Sequence, residues 1–194
     1  MQPTAETCVV FMLGYPATGK RTVGGHLAGL LDGVLVDNAL LHRPLLELFR
    51  WDGKTLLPPE IWDRVAPIRQ AVLGTIEDLA PRTNSYVFTN VLTDDAGSRA
   101  QLDDVRALAR RRGSLFLTVL LSCEVDVQVS RIDTADRIAL RKGSDPEGYR
   151  HWRPALLEPP ADELLRLDTT ATEPAVNARA VLDALLERGY RPTG

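Results

Sequence analysis

The segment at residues 14–22, which reads Gly-Tyr-Pro-Ala-Thr-Gly-Lys-Arg-Thr, constrains the fold more than any other part of the chain. An apolar, partly β-branched run precedes it at residues 8–13, and apolar residues at helical spacing follow it. A strand, a glycine-rich turn and a helix that begins at a lysine are typical of a phosphate-binding loop, or P-loop. Gly14 and Gly19 permit a turn whose N–H groups point inward, Lys20 adds a positive charge, and the helix N-terminus adds its dipole. The motif predicts a site for a di- or triphosphate, with an ordinary glycine-containing turn as the alternative.

One position departs from the usual P-loop pattern. The lysine is usually followed by Ser or Thr, whose hydroxyl binds Mg²⁺, but here Arg21 follows Lys20 and Thr22 comes next. A guanidinium has no lone pair to give a metal, so Mg²⁺ would be coordinated largely by water, with Thr22 as the predicted metal ligand of the loop. The predicted nucleotide-binding residues of the loop are Gly14, Ala17, Thr18, Gly19, Lys20, Arg21 and Thr22.

Composition limits the kinds of partner. The chain has 194 residues, which fits one domain over residues 1–194, and its net charge of −3 gives no general attraction to nucleic acid or anionic lipid. Cys8 and Cys123 lie in apolar strand-like runs, which favours buried thiols over a disulfide or a metal site. The N-terminal residues have neither the basic start nor the apolar segment of a signal peptide. We expect a cytoplasmic monomer or homodimer with no nucleic-acid or membrane partner.

The remaining pattern predicts an α/β fold. Five strand-like runs alternate with helical patterns, which implies a three-layer P-loop fold with a five-stranded parallel sheet covered by helices on both faces. The predicted strands are residues 8–13, 34–36, 86–89, 115–121 and 164–168. The predicted helices are residues 39–50, 59–80 with a kink or break at Pro67, 98–112 ending in an arginine run, 124–133, 145–157 and 173–188.

Chemistry is expected beyond the carboxyl ends of the strands, where ligands bind in open parallel sheets. Asp37 follows the second strand, and a carboxylate near a γ-phosphate can accept the proton of a substrate hydroxyl. The alternative is that Asp37 only caps a helix. Thr89 and Asn90 stand at the end of the third strand, where an acidic residue is usual, and would position water or substrate.

Three arginines follow the fourth strand. Arg131, Arg137 and Arg141 would lie on a helix end and a mobile loop, a lid-like segment at about residues 131–145, and could neutralise a transferring phosphoryl group. The alternative is a solvated charged helix with pairs to Asp133 and Asp136. Arg141 is predicted to bind the nucleotide. The predicted catalytic residues are Lys20, Asp37, Arg131 and Arg137.

The stretch between the second and third strands, at about residues 38–82, can fold over the pocket and bind the phosphate acceptor. The predicted acceptor-binding residues are Asp37, His42, Arg43, Arg69 and Asn90.

These features resemble the small P-loop kinases, the group that contains adenylate, shikimate and gluconate kinases and chloramphenicol phosphotransferase. Lys20, Arg21 and Thr22 resemble the adenylate kinase form of the loop, in which a non-hydroxyl residue also separates Lys from Thr. Asp37 resembles the carboxylate that contacts the acceptor hydroxyl in shikimate kinase and chloramphenicol phosphotransferase. The acidic-Gly pair of nucleoside monophosphate kinases and the Gly-Gly element of shikimate kinase are both missing, which points to another branch of the group.

The resemblance implies transfer of a phosphoryl group from ATP, with Mg²⁺, to a hydroxyl of a small molecule. A nucleoside or nucleotide kinase is one alternative, in which Arg43 or Arg69 would hold an acceptor phosphate or base. A nucleotide-binding module without transfer activity is another, and it is favoured by Arg21 and by the missing acid after the third strand.

Overall fold

The computed structural model describes residues 4–192 as a five-stranded parallel sheet with helices on both faces. The strands are β1 (Cys8–Leu13), β2 (Val34–Asp37), β3 (Tyr86–Thr89), β4 (Leu115–Ser122) and β5 (Leu164–Asp168). Their order in the sheet is β2-β3-β1-β4-β5, and every pairing is parallel. The predicted fold class is therefore confirmed. The carboxyl ends of all five strands lie at one edge of the sheet.

Helices connect the strands, as parallel pairing requires. The α-helices of the described residues are α1 (Lys20–Leu30), α2 (Asn38–Leu48), α3 (Ile61–Asp78), α4 (Ala96–Arg112), α5 (Val125–Ser130), α6 (Ala135–Ala139), α7 (Pro146–His151) and α8 (Pro174–Glu187). A short 3₁₀ turn at Ala161–Glu163 leads into β5.

The core has two halves, one on each face of the sheet. Every residue of β1 is buried, because helices cover both of its faces. Val10 and Met12 pack toward α1 and α8, whereas Val9 and Phe11 pack toward α3 and α4. The unbroken apolar run of β1 thus reflects its central position, and it anchors the loop that follows Leu13 at the middle of the sheet edge.

Two predicted helices and one predicted loop differ from the structure. Helix α3 runs from Ile61 to Asp78 without a break at Pro67, because burial of its Val65, Leu73 and Ile76 face outweighs the one hydrogen bond that a proline removes. The predicted loop before Ser144 contains the short helix α6. Helix α7 ends at His151 instead of continuing to residue 157.

The early end of α7 has a local cause. Trp152 adopts an extended conformation, and Pro154 two residues later disfavours helical backbone in the residue before it.

The arginine run at the end of α4 has the predicted structural role. Gly113 ends the helix with a left-handed backbone at φ 68°. The Arg112 guanidinium is buried and donates to the carbonyl oxygens of Ile76 and Pro81, at 2.6 Å in both cases. It also lies over the Tyr86 ring, 5.1 Å from the centroid. Arg112 therefore ties α4 to α3 and β3.

Two further expectations concern burial and membranes. Cys8 is buried, as predicted, but Cys123 lies at the end of β4 and is partly exposed. Within residues 4–192, the helices are all too short or too polar to cross a membrane.

Candidate active site

The P-loop follows β1 and wraps over the amino end of α1. Gly14 has φ 144°, and a Cβ at this position would lie 2.4 Å from the carbonyl oxygen of Leu121 and 2.8 Å from Thr18 Oγ1. Gly19 caps α1 with φ 88°. Glycine is required at Gly14 by both backbone angle and space. The loop therefore packs directly against the end of β4 and presents the N-terminus of an 11-residue helix to any bound anion.

Lys20 lies across this loop. Its Nζ donates to the carbonyl oxygens of Gly14 at 2.7 Å and Tyr15 at 2.6 Å. Burial lowers the pKa of Lys20 to about 7, and the positive charges of Lys142 and Arg137 lower it further against the opposing effect of Asp37. A desolvated cation held beside other cations is poised to gain from a bound anion.

Asp37 ends β2 and is 2% exposed. Its Oδ1 accepts from the backbone N–H of Ala39 at 3.2 Å and from Thr89 Oγ1 at 3.0 Å. Its Oδ2 accepts from Arg21 at 2.8 Å and from Lys142 Nζ at 2.9 Å. The carboxylate therefore caps α2 and also belongs to a cluster of charged side chains at the sheet edge.

The charge state of Asp37 follows from these partners. Burial alone would raise the pKa of the carboxyl, but the charge of Lys142 and the hydrogen bonds from Arg21, Lys142 and Ala39 outweigh it and lower the pKa to about 2. Asp37 is ionised at neutral pH. Of the two sequence-based interpretations of Asp37, the structure shows the cap of α2, and the proton-accepting role stays a prediction.

The Arg21 guanidinium pairs with Asp37, and its side chain remains 46% exposed. Its predicted contact with the nucleotide stays a prediction. Thr22, the predicted metal ligand, is exposed in the first turn of α1. Residues 4–192 contain no cluster of three His, Cys, Asp or Glu side chains suited to a metal. The donor set therefore does not fit a magnesium ion held directly by carboxylates of the protein.

Two of the three arginines after β4 donate to backbone carbonyls, and one of these, Arg137, also lies close enough to Lys20 and Asp37 for their charges to interact. Arg131 donates to the carbonyl oxygens of Thr169 at 3.0 Å and Thr170 at 3.5 Å, in the segment after β5. Arg137 donates to the carbonyl oxygens of Ile132 and Gly143, at 3.0 Å and 2.8 Å. Both side chains are satisfied by backbone carbonyls, which fix the course of the segment that we call the lid, residues 131–145.

In the structure Arg141 contacts α2 and the residues after it, and its predicted nucleotide contact stays a prediction. Its guanidinium pairs with Glu47 on α2 at 3.1 Å and donates to the carbonyl oxygen of Trp51 at 3.0 Å. Ser144 extends this contact, since its N–H donates to the Gly53 carbonyl oxygen at 2.9 Å. The lid is thus docked on the region after α2, and Arg141 holds it there.

Two of the predicted acceptor-binding residues, Arg69 and Asn90, line a narrow cleft between α2, α3 and the end of β3. Asn38, which was not predicted, lines it as well. Asn38 Nδ2 donates to Asn90 Oδ1 at 2.8 Å, and Asn90 Nδ2 donates to Gln101 Oε1 at 3.0 Å. Burial lowers the pKa of Arg69. The cleft combines an apolar floor with fixed amides and one guanidinium, but its volume of about 20 Å³ admits only a water-sized molecule, so it would have to widen to admit an acceptor.

His42 and Arg43 lie outside this cleft lining. The His42 ring meets the Trp62 ring edge-on at 5.4 Å between centroids. Burial and the charge of Arg69 lower the pKa of His42 to about 4, so it is neutral at pH 7. Arg43 is exposed and pairs with Glu47 at 3.2 Å, a helical i,i+4 contact.

Sequence comparison matches no protein-family model and no curated protein. Structural comparison finds many solved chains of similar fold. They include a sugar kinase from Janibacter sp. (17% identity, 97% of this chain and 99% of that chain, TM-score 0.65). A gluconokinase from Sinorhizobium meliloti is 18% identical over 95% of this chain and 94% of that chain, with TM-score 0.58. The Mycobacterium tuberculosis APS kinase, solved with AMPPNP and APS, is 20% identical over 95% of this chain and 99% of that chain, with TM-score 0.59.

The chain has the fold of the small P-loop kinases. The resemblance inferred from residues 14–22 is confirmed at the level of the fold over nearly the whole chain. At these identities the likeness carries over neither an acceptor nor individual site residues.

The sequence analysis did not predict two groups of residues that lie at the site. Lys142 reaches Asp37 from the lid, and only its place in the lid segment could have indicated it. Arg153 lies 5.0 Å from the Tyr15 ring centroid and donates to Gln128 Oε1 at 2.6 Å, while Gln128 Nε2 donates to the Pro16 carbonyl oxygen at 2.6 Å. Arg153 and Gln128 thus contact Tyr15 and Pro16 in the P-loop, and no sequence motif indicates them.

Proposed function

We propose that the chain is an ATP-dependent phosphotransferase that acts on a hydroxyl group of a small molecule. The observation that carries the proposal is the buried, ionised Asp37 at the carboxyl end of β2, grouped with Arg21 and Lys142 beside the P-loop. Asp37 is already ionised before any ligand binds, so it can accept a proton once Lys142 or Arg21 has withdrawn from it.

The phosphates of ATP would bind to the backbone N–H groups of the P-loop and the N-terminus of α1. Lys20 would exchange its contacts with the Gly14 and Tyr15 carbonyl oxygens for contacts with phosphate oxygens. This exchange replaces neutral acceptors by charged ones, which form stronger hydrogen bonds.

Transfer would proceed in line. The acceptor oxygen forms a bond to the γ-phosphorus while the bond from that phosphorus to the β–γ bridging oxygen breaks and its electron pair stays on ADP. The hydroxyl proton passes to Asp37 Oδ2, from which Lys142 or Arg21 must first withdraw. Positive charge from Lys20 and from the cluster around Asp37 stabilises the charge that develops on the transferred group.

The acceptor would enter the cleft formed by Asn38, Asn90 and Arg69. Fixed amide groups suit an uncharged polyhydroxy compound, and the lowered pKa of Arg69 indicates that its charge is poorly compensated. The Arg69 guanidinium favours, as a second candidate, a nucleoside or nucleotide kinase whose acceptor carries an anionic group.

A nucleotide-binding module without transfer is the candidate from a different class. The position of Asn90, in place of an acid after β3, and the low pKa of Asp37 favour it, because a carboxyl of pKa about 2 is a weak base. A library of sugars, nucleosides and other hydroxyl compounds, incubated with enzyme and ATP and followed by ³¹P NMR, separates these candidates. A phosphate monoester product supports transfer, while release of inorganic phosphate alone, or no turnover, supports the module.

We expect nucleotide binding to depend on magnesium more strongly in Arg21→Ser than in the native chain. The serine hydroxyl offers a metal ligand at the usual P-loop position, and the guanidinium charge is lost. Calorimetry with AMPPNP in Mg²⁺ and in EDTA should show the ratio of the two affinities rising about tenfold, which corresponds to about 1.4 kcal/mol.

Arg21→Ala is the matched control, since it removes the same charge without adding an oxygen. Equal loss of affinity in both variants, with an unchanged response to magnesium, would mean that Arg21 binds phosphate directly.

We also expect AMPPNP binding to take up a proton at pH 8. Lys20 is largely neutral there because its pKa is about 7, and phosphate oxygens beside the amine favour its charged form. Below pH 6 the amine is already protonated before binding, so its contribution to proton uptake disappears. Calorimetry in buffers of different ionisation enthalpy measures the number of protons.

Lys20→Arg is the control for this linkage, because its guanidinium stays charged at both pH values. Proton uptake at pH 8 should be lost in that variant while binding persists. No proton exchange in the native chain at pH 8 would contradict the assigned state of Lys20.

A further inference from the structure

Hydrogen bonds of the backbone on both sides of Lys142 hold this residue in place. Arg137 accepts from the Lys142 N–H at 2.9 Å through its carbonyl oxygen and donates to the Gly143 carbonyl oxygen at 2.8 Å through its guanidinium. On the other side, the Ser144 N–H donates to the Gly53 carbonyl oxygen. The backbone of Lys142 is therefore fixed both to the rest of the lid and to the region after α2. Its side chain is directed toward Asp37.

Asp37 is the anion that holds the Lys142 ammonium. Nζ lies 2.9 Å from Oδ2 and 3.3 Å from Oδ1, and the Lys142 side chain is only 21% exposed. Arg21 donates to the same Oδ2. One carboxylate thus serves two cations, and Lys20 and Arg137 add further positive charge close by.

This arrangement has an excess of positive charge. Arg21, Arg137 and Lys142 lie near a single carboxylate, which leaves the cluster two charges positive before any contribution from Lys20. A nucleotide triphosphate carries several negative charges and would compete with Asp37 for these cations. Lys142 is free to respond, because its backbone anchors do not depend on the position of its Nζ.

We propose that Lys142 is a catalytic residue that leaves Asp37 for the phosphates when the nucleotide binds, and so frees the carboxylate to receive the acceptor proton. The inference rests on the proposed function and adds a residue and an order of events to it. With Lys142 in contact, Asp37 is a weak base, and its basicity increases when that charge moves away. Nucleotide would then bind before the carboxylate becomes competent, which limits proton transfer to the loaded site.

The lysine content of the chain makes this testable. The sequence contains three lysines, Lys20, Lys54 and Lys142, and Lys54 is exposed in the loop after α2. Protein labelled at lysine side chains with ¹⁵N and ¹³C would give one set of signals for each, assigned by Lys→Arg variants. On addition of AMPPNP we expect the Lys20 and Lys142 signals to shift and the Lys54 signal to stay.

Affinity measurements complement the spectra. Lys142→Met should weaken AMPPNP binding about tenfold, Lys142→Arg should retain most of the affinity because it keeps the charge, and Lys54→Met should match the native chain. A structural role confined to lid docking would leave the Lys142 side-chain signals unchanged by nucleotide.

Two kinds of result would overturn the inference, and they distinguish a failure of the Lys142 proposal from a failure of the nucleotide site. A shift of the Lys20 signals with no change at Lys142, or native AMPPNP affinity in Lys142→Met, would remove Lys142 from the phosphate site and leave the proposed function standing. No response of either lysine to AMPPNP would overturn the nucleotide site itself.

Discussion

Replacing Lys20 with alanine is expected to abolish productive nucleotide binding while the fold is retained. The ammonium bonds only to carbonyl oxygens of its own loop, and burial already disfavours its charge, so its removal takes away phosphate binding more than stability. Loss of a group that stabilises developing charge typically lowers turnover by about 10²–10³-fold. Calorimetry with AMPPNP and turnover of ATP on the same preparation measure both effects.

Lys54→Ala is the control for this experiment, because Lys54 is exposed in the loop after α2. Thermal unfolding of both variants should stay near that of the native chain. Native affinity and turnover in Lys20→Ala would reject the assignment of residues 14–22 as the phosphate site.

Asp37→Asn should separate binding from transfer. Asparagine caps a helix about as well as aspartate, so the start of α2 should persist, but the amide cannot take the proton of an acceptor hydroxyl. Turnover should fall by roughly 10²–10⁴-fold, the usual range for a lost general base. AMPPNP affinity should be equal or higher, because Arg21 and Lys142 no longer have a competing carboxylate.

The same substitution has a predictable effect on stability. The pKa of Asp37 is lowered in the folded state, so its ionised form stabilises the fold above the unfolded pKa, and this contribution is lost as pH falls toward 2. Asp37→Asn should lower the unfolding temperature at pH 7 and flatten its decline in acid. Asp183→Asn, on the exposed face of α8, is the matched control. Unaltered turnover in Asp37→Asn would remove Asp37 from the transfer mechanism.

The fold was predictable because its signals are local. Each signal can be read in a short stretch of sequence: the apolar run of β1, the glycine at Gly14 and the apolar spacing of α1. The predicted break at Pro67 was wrong because the packing that prevents it is not local. A proline removes one hydrogen bond wherever it occurs, but the packing of α3 on the sheet, which offsets that loss, is set by residues distant in sequence.

The site was predictable in position more than in contacts. Asp37 could be placed because the carboxyl ends of parallel strands share one edge. Its partners could not, since Arg21 and Lys142 meet it only after α1 and the lid are packed. The guanidinium groups of Arg131 and Arg137 donate to backbone carbonyls whose positions depend on the course of the lid, which the sequence does not indicate. Their role at phosphate stays a prediction.

A crystal structure with AMPPNP is the most direct test of the central claim, that this loop and Asp37 together form a phosphoryl-transfer site. The account predicts the β- and γ-phosphates on the N-terminus of α1 and on Lys20, with Asp37 facing the γ-phosphate across a space for one acceptor oxygen. A nucleotide bound elsewhere, or a γ-phosphate that points away from Asp37, would contradict it.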